Sequence, residues 1–292
     1  MSANFFVKIF LVVYFFLVTH TSSRLGIWIR PSEITQGQVI LASGSFLNQS
    51  SLLSLKNCFL EFRNKKHKFF LDSGFQFVSR IPIDVFVEPG LHKIKLKCSN
   101  RLEKTYQIKI LSGKFPLQEI TLTSRKATLR TTAEAWEKIR KALETETEEK
   151  LWNSKRTWSL PNDSRISTIY GVRRKYNGIF AKNYFHRGID FAGKNREPIK
   201  APSSGKIILT GKEKEGFHAQ GNCIFIDHGQ GLISTYYHLS KIKVKKDEFV
   251  DQNQIIGEIG STGISTGPHL HFGLYYQGVS INPDYLFKKV FL

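Results

Sequence analysis

The stretch Gly260-Ser261-Thr262-Gly263-Ile264-Ser265-Thr266-Gly267-Pro268-His269-Leu270-His271-Phe272-Gly273 decides how the C-terminal half of this 292-residue chain is read. Up to Gly267 the residues are mostly small, and the glycines let backbone come close to a metal or an extended ligand. After Pro268 the chain alternates as a strand does, and side chains two apart on a strand share a face. His269 and His271 are therefore expected to open into one cleft while Leu270 and Phe272 enter the core. The same period in Ser234-Thr235-Tyr236-Tyr237-His238-Leu239 is expected to set Tyr236 beside His238.

A third piece reads Phe185-His186-Arg187-Gly188-Ile189-Asp190-Phe191-Ala192. A helix would bring His186 and Asp190 onto one face, but Gly188 and the β-branched Ile189 favour a turn or strand entry. This is not the helical H-E-x-x-H arrangement of many metalloproteases. Zinc in hydrolases takes three protein ligands from His, Asp, Glu or Cys and keeps a fourth position for water. The three pieces offer two histidines and one aspartate for a metal, with two further histidines to move protons. Spacing alone leaves open which histidine does what.

From about Pro161 to Pro283 the chain resembles the lysostaphin-type (LytM-like) zinc endopeptidases, which cut peptide cross-links in bacterial peptidoglycan. The matching segments are Tyr170-Gly171-Val172-Arg173-Arg174, His186-Arg187-Gly188-Ile189-Asp190, Ala201-Pro202-Ser203-Ser204-Gly205, Ile226-Asp227-His228-Gly229, Tyr236-Tyr237-His238-Leu239-Ser240 and the run from Gly260 to Phe272. The resemblance implies zinc as the cofactor, with His186, Asp190 and His271 as ligands. It implies His238 and His269 as catalytic, non-ligand histidines, and no organic cofactor. It also implies a substrate among peptidoglycan stem or bridge peptides. One departure is Arg196-Glu197-Pro198-Ile199, where relatives often carry a Gly-Thr-Pro-Val-like turn; the Pro and the apolar residue are kept and the charge differs. The competing class is a non-catalytic wall-binding or amidase-activating module, an outcome among relatives that have lost metal ligands. Here all five positions are filled.

The formal net charge is +19, from 43 Lys plus Arg against 24 Asp plus Glu, and the excess is spread along the chain. No nucleic-acid motif accompanies it, so nucleic acid is not an expected partner. A distributed positive charge suits an anionic wall or membrane surface; the sequence does not fix an oligomeric state. Residues 1–23 carry an early Lys8, an apolar run from Ile9 to Val18 and small residues after it. That pattern reads as a signal peptide or membrane anchor and predicts export to the periplasm or cell envelope. Cys58 and Cys98 lie on β-patterned segments, as a bridge or as two buried thiols, and Cys223 sits in an apolar strand as a packing residue.

The expected fold is mostly β: an N-terminal immunoglobulin-like β-sandwich over 24–112, a helical connector over 113–159 and a C-terminal antiparallel β LytM-like peptidase domain over 160–292. The alternation Leu91 to Cys98 and short runs such as Val39–Leu41, Cys58–Phe62, Val85–Val87 and Tyr106–Ile110 give the sandwich. In the connector, Thr131 and Glu134 read as a capping box. Leu129, Ala133, Trp136, Ile139 and Leu143 then form an apolar face. All five site residues and a full set of strands lie beyond 160, so that segment is expected to fold alone. His67 and His92 read as surface residues, His228 as part of a turn, and His218 as part of a loop near substrate.

Overall fold

The computed structural model describes residues 26–45, 57–72, 76–99, 102–153 and 157–287, so the expected leader over 1–23 lies outside the described residues. Among those described, no helix is long and apolar enough to cross a membrane. The chain is mostly β. Strands Gly26–Arg30, Val39–Ser45, Gln76–Pro82 and Phe70–Leu71 form one sheet in that order. A second sheet runs Glu33–Thr35, Glu103–Leu111, Gly90–Cys98, Cys58–Phe62, Lys65–Lys68. Their inner faces meet over Ile40, Leu60, Ile81, Ile94 and Ile108, all buried. The alternation along Gly90–Cys98 holds, with Ile94 and Leu96 inward and Lys93 exposed. Cys58 and Cys98 stand directly opposite each other in register and are joined as a disulfide.

Val85–Val87, expected as a strand, is instead a turn. The Gln36 side-chain amide donates to the carbonyls of both Val85 and Val87, at 2.9 and 2.7 Å, and holds the segment out of either sheet.

The C-terminal sheet is antiparallel and runs Arg165–Thr168, Gly188–Ala192, Leu270–Tyr276, Leu232–Leu239, Asn222–Asp227, Gly205–Gly211, Phe249–Val250. One face carries the core of Ile189, Phe191, Ile224, Tyr236, Leu270 and Phe272. Part of the opposite face is covered by the connector helix Ala133–Leu143, whose Ala135, Ile139 and Ala142 pack on Leu209, Phe225 and Ile233. The helix is capped by Thr132, which accepts from the Ala135 amide at 3.2 Å, one residue later than the sequence suggested. Thr131 instead donates to Gln220 Oε1 at 2.6 Å and accepts from the Ala219 amide at 3.2 Å. Trp136, expected on the buried face, is exposed. The buried stripe is narrow and alanine-rich, which lets the helix lie close on the sheet.

Because the helix covers Phe225 and Ile233, the C-terminal sheet has part of its core upstream of residue 160. The sandwich adds a further contact, with Val39, Phe70 and Val78 packed against Leu232, Leu274 and Tyr276. His67, expected at the surface, is buried there, with its Nδ1 2.6 Å from Gln277 Oε1.

Candidate metal centre

Register puts the site together. Asp190 on Gly188–Ala192 faces His271 on Leu270–Tyr276, and His271 faces Tyr237 on Leu232–Leu239. His186 precedes the first of these strands; its amide donates to the Val172 carbonyl at 2.8 Å. Gly188 makes room for the row: a Cβ there would lie 2.3 Å from the Phe272 carbonyl oxygen and 2.9 Å from the His271 ring. Only a residue without a side chain lets the two strands pair while the imidazole lies across their seam.

His238 arrives by a different device. Between Asn222↔Leu239 and Ile224↔Tyr236 the register shifts, so Tyr237 and His238 together oppose Cys223. This is a β-bulge, which re-aims side chains next to sites of chemistry. His238 has φ +68°, in the left-handed region that a β-carbon disfavours. Its amide donates to the Gln220 carbonyl at 2.9 Å, fixing that conformation. The bulge overturns the expected pairing of Tyr236 with His238. Tyr236 is buried in the core with its hydroxyl 2.9 Å from Ser234 Oγ, and Tyr237 is the ring stacked on His271, 5.2 Å between centroids and 10° from parallel.

Three metal-ligating atoms converge. Ile169 O can only accept, so His186 Nδ1, 2.8 Å away, carries the hydrogen and leaves Nε2 with a lone pair. That Nε2 lies 2.9 Å from Asp190 Oδ1 and 2.9 Å from His271 Nδ1, which is itself 2.9 Å from Asp190 Oδ1. A proton on His271 Nδ1 serves at most the two edges that meet there and leaves His186 Nε2 facing Asp190 Oδ1 as two acceptors. A divalent cation satisfies all three atoms, and two imidazoles with a carboxylate are a donor set that zinc takes. His186 also shows the orienting bond from the other ring nitrogen to a carbonyl that metal-binding histidines use. The residues therefore fit a metal, and His186, Asp190 and His271 form a metal-competent cluster among the described residues.

His238 and His269 stand beside the cluster rather than in it. His238 Nδ1 donates to the Thr262 carbonyl at 2.8 Å, and His269 Nδ1 donates to the Gly267 carbonyl at 2.9 Å, with Ser265 Oγ at 3.1 Å. Their rings lie 4.7 Å apart, and His269 Nε2 is 3.9 Å from Asp190 Oδ1. In each ring the Nδ1 hydrogen is committed to a carbonyl, so Nε2 is the nitrogen left to take or give a proton. The glycine-rich run thus does more than approach a ligand: its carbonyls at Thr262 and Gly267 set the tautomers of both histidines.

His186, Asp190 and His271 are only 1, 6 and 8 % exposed, so their charges act in a largely dry setting. Burial works against an ionised Asp190, but the His186 and His271 imidazoles outweigh it and hold the carboxyl well below the usual carboxylate range. Burial pushes the His271 imidazole down to about 4 against the bond to Asp190. Burial first, then His269 and His271, holds His238 well below its ordinary value. Near neutral pH Asp190 is thus a carboxylate and His271 a neutral imidazole, the forms that ligate metal.

Two residues at the site had no assigned role in the sequence. Tyr237 is one. Arg174 is the other: its Nη2 lies 3.4 Å from Asp190 Oδ2 and its Nη1 donates to the Tyr176 hydroxyl at 3.2 Å. Arg174 lies on the strand Arg173–Tyr176, whose register against Ile179–Phe185 shifts between Arg173 and Lys175 and hides that direction from any period-2 reading. Cys223 is buried and burial raises its thiol pKa, in keeping with packing. His228 sits in the turn as expected but is fully buried, Nδ1 2.7 Å from the Ser204 carbonyl oxygen and Nε2 2.8 Å from Ser234 Oγ.

Residues 184–283 match the family model for Peptidase family M23. Over 124 residues the chain is 37% identical to the peptidoglycan DD-endopeptidase ShyA of Vibrio cholerae, covering 42% of this chain and 28% of that protein. Over 127 residues it is 32% identical to the murein hydrolase activator NlpD of Escherichia coli, covering 44% and 30%. The matched part thus spans less than a third of the length of either relative. A crystal structure of a Pseudomonas aeruginosa protein assigned to peptidase M23 shares the fold over 88% of this chain and 96% of that one, with a TM-score of 0.62 at 22% identity.

Proposed function

We propose that this chain, whose residues 184–283 form a peptidase family M23 domain, is an exported zinc metallo-endopeptidase that hydrolyses peptide cross-links of bacterial peptidoglycan. The observation that carries the reading is the triangle of His186 Nε2, Asp190 Oδ1 and His271 Nδ1, each 2.9 Å from the other two. These three residues would hold the metal. Zinc, when bound, lowers the pKa of a coordinated water toward about 7 and polarises a scissile carbonyl.

The remaining chemistry belongs to the chain. His238 and His269 each present a bare Nε2 beside the cluster, so one can take a proton from water and the other, once protonated, can donate to the oxyanion or leaving amine. The Thr262 and Gly267 carbonyls hold these rings in the required tautomers before substrate arrives. Low exposure keeps competing water from the cluster and strengthens each interaction. Proposed partners are peptidoglycan stem or bridge peptides, with an anionic wall or membrane surface reached through the +19 charge. The periplasm or cell envelope is the proposed location. The domain division proposed is a leader over 1–23, a sandwich over 24–112, and a peptidase unit that takes in the connector helix as well as residues 160–292.

A relative named as a hydrolase activator favours a second reading, a non-catalytic module of the same fold. Incubating the zinc-loaded chain with purified peptidoglycan, followed by mass analysis of released fragments, separates the two. New peptide termini, lost on chelation and regained with zinc, support the enzyme. An intact wall in the presence of stoichiometric zinc supports the module.

A further inference from the structure

An open groove of about 500 Å³ is lined by Arg125, Leu129, Lys212, Lys214, His218 and Thr262, among others. Arg125, Lys212 and Lys214 are exposed, and none of the three has an ion-pair partner among the described residues. Glu213 is the single carboxylate in the lining. The groove shares one residue with the support of the site: Thr262 lines it, and the Thr262 carbonyl holds His238 Nδ1 at 2.8 Å. Its far wall is the connector, which is fixed on both sides of Arg125 and Leu129. Lys126 donates to the Ser265 carbonyl, and Thr131 bonds Gln220 and the Ala219 amide. Upstream, Leu122 and Asn177 exchange two hydrogen bonds, anchoring the connector to the loop after Arg173–Tyr176.

We infer that this groove is a specificity subsite for a carboxylate carried by the substrate peptide a few residues from the scissile bond. The inference rests on the proposed peptidase reading. Three unpaired cations around one shallow groove create a local positive potential that an anionic group relieves. Leu129 adds an apolar contact for the side chain that bears the acid. Thr262 is the residue the groove shares with the support of the proposed proton-handling His238, so a peptide that extends from the metal centre past Thr262 would reach it. The connector thereby becomes a wall of the binding cleft as well as a spacer.

The test uses the full chain and a fluorescent tetrapeptide with one free side-chain carboxylate, set against the same peptide with that carboxylate amidated. Binding is read by anisotropy and turnover by cleavage. The acid peptide is expected to bind about tenfold more tightly than the amide at low salt, with the difference shrinking as ionic strength rises. The triple variant Arg125→Gln, Lys212→Gln, Lys214→Gln should lose that discrimination, while the sandwich variant Lys93→Gln keeps it. Equal binding of acid and amide by the unaltered chain overturns the subsite, as does discrimination that survives in the triple variant. Tight binding of glycerol phosphate with no acid-over-amide preference would assign the groove to wall phosphate and overturn it as well. Discriminating binding without any cleavage would leave the subsite standing and sink the peptidase reading instead.

Discussion

Replacing Gly188 by alanine tests whether the strand seam itself positions the His271 ligand. The added methyl would lie 2.3 Å from the Phe272 carbonyl oxygen, which is 1.1 Å short of the 3.4 Å where ordinary contact begins. It would also meet His271 Cε1 and Nε2 at 2.9 Å. The backbone oxygen cannot swing aside, so the two strands must part or the imidazole must move. Overpacking of this kind costs about 1–3 kcal/mol. Reduced freedom of the unfolded chain offsets only about 0.4–1 kcal/mol of it. The larger consequence is at the metal. A shift of His271 breaks two of the three 2.9 Å edges, those to His186 and Asp190. Disturbing the support of a metal ligand typically lowers affinity about 10–100-fold. Thermal melting of the metal-free protein and competition for zinc against a chromophoric chelator measure the two effects separately. An alanine variant that melts like the parent and holds zinc as tightly would refute the claim that this seam sets the ligand.

Other expectations are narrower. His67 and His228 are both held down to about 4 from 6.5 by burial. The unfolded chain takes up their protons first, so stability should be level above about pH 6.5 and fall towards pH 4. The loss is on the order of 3 kcal/mol for each residue. Urea unfolding at pH 7 and pH 5 checks this, and equal stability at the two would contradict it. Serine in place of Cys58 and Cys98 opens a loop of 40 residues and should cost about 4 kcal/mol; an unchanged urea midpoint would show that the bridge is idle. A chain starting at residue 113 should be more stable than one starting at 160, because removing the helix bares Leu209, Phe225 and Ile233. Each large apolar side chain so exposed weakens folding by up to about 1.5–3 kcal/mol. Equal unfolding midpoints for the two truncations would place the connector outside the peptidase unit.

The sandwich, the connector helix and the main strands of the peptidase sheet were legible in the sequence because each depends on a local period. Leu270 and Phe272 inward with His271 outward is the clearest case. Asp190 and His271 stood out by residue type, and the strand register sets them opposite each other. What stayed hidden depends on distant or irregular contacts. The bulge that turns Tyr237 and His238 has no glycine or proline to announce it. His67 is buried by Gln277, 210 positions away along the chain. Val85–Val87 has a β-branched composition, but the Gln36 amide takes its carbonyls and leaves nothing for a ladder. Trp136 fits a helical apolar stripe by spacing, yet the edge that packs on the sheet is Ala135, Ile139 and Ala142, with Leu143 partly buried beside them.

The central claim is that His186, Asp190 and His271 hold zinc while His238 and His269 handle protons. Zinc content measured beside cleavage of purified peptidoglycan, in His271→Ala and His269→Ala, tests it most directly. His271→Ala is expected to lose zinc and cleavage together. His269→Ala is expected to keep about one zinc per chain but to fall by on the order of 10²–10⁴ in rate, with His238→Ala behaving alike. Zinc lost from His269→Ala and retained by His271→Ala would contradict these assignments.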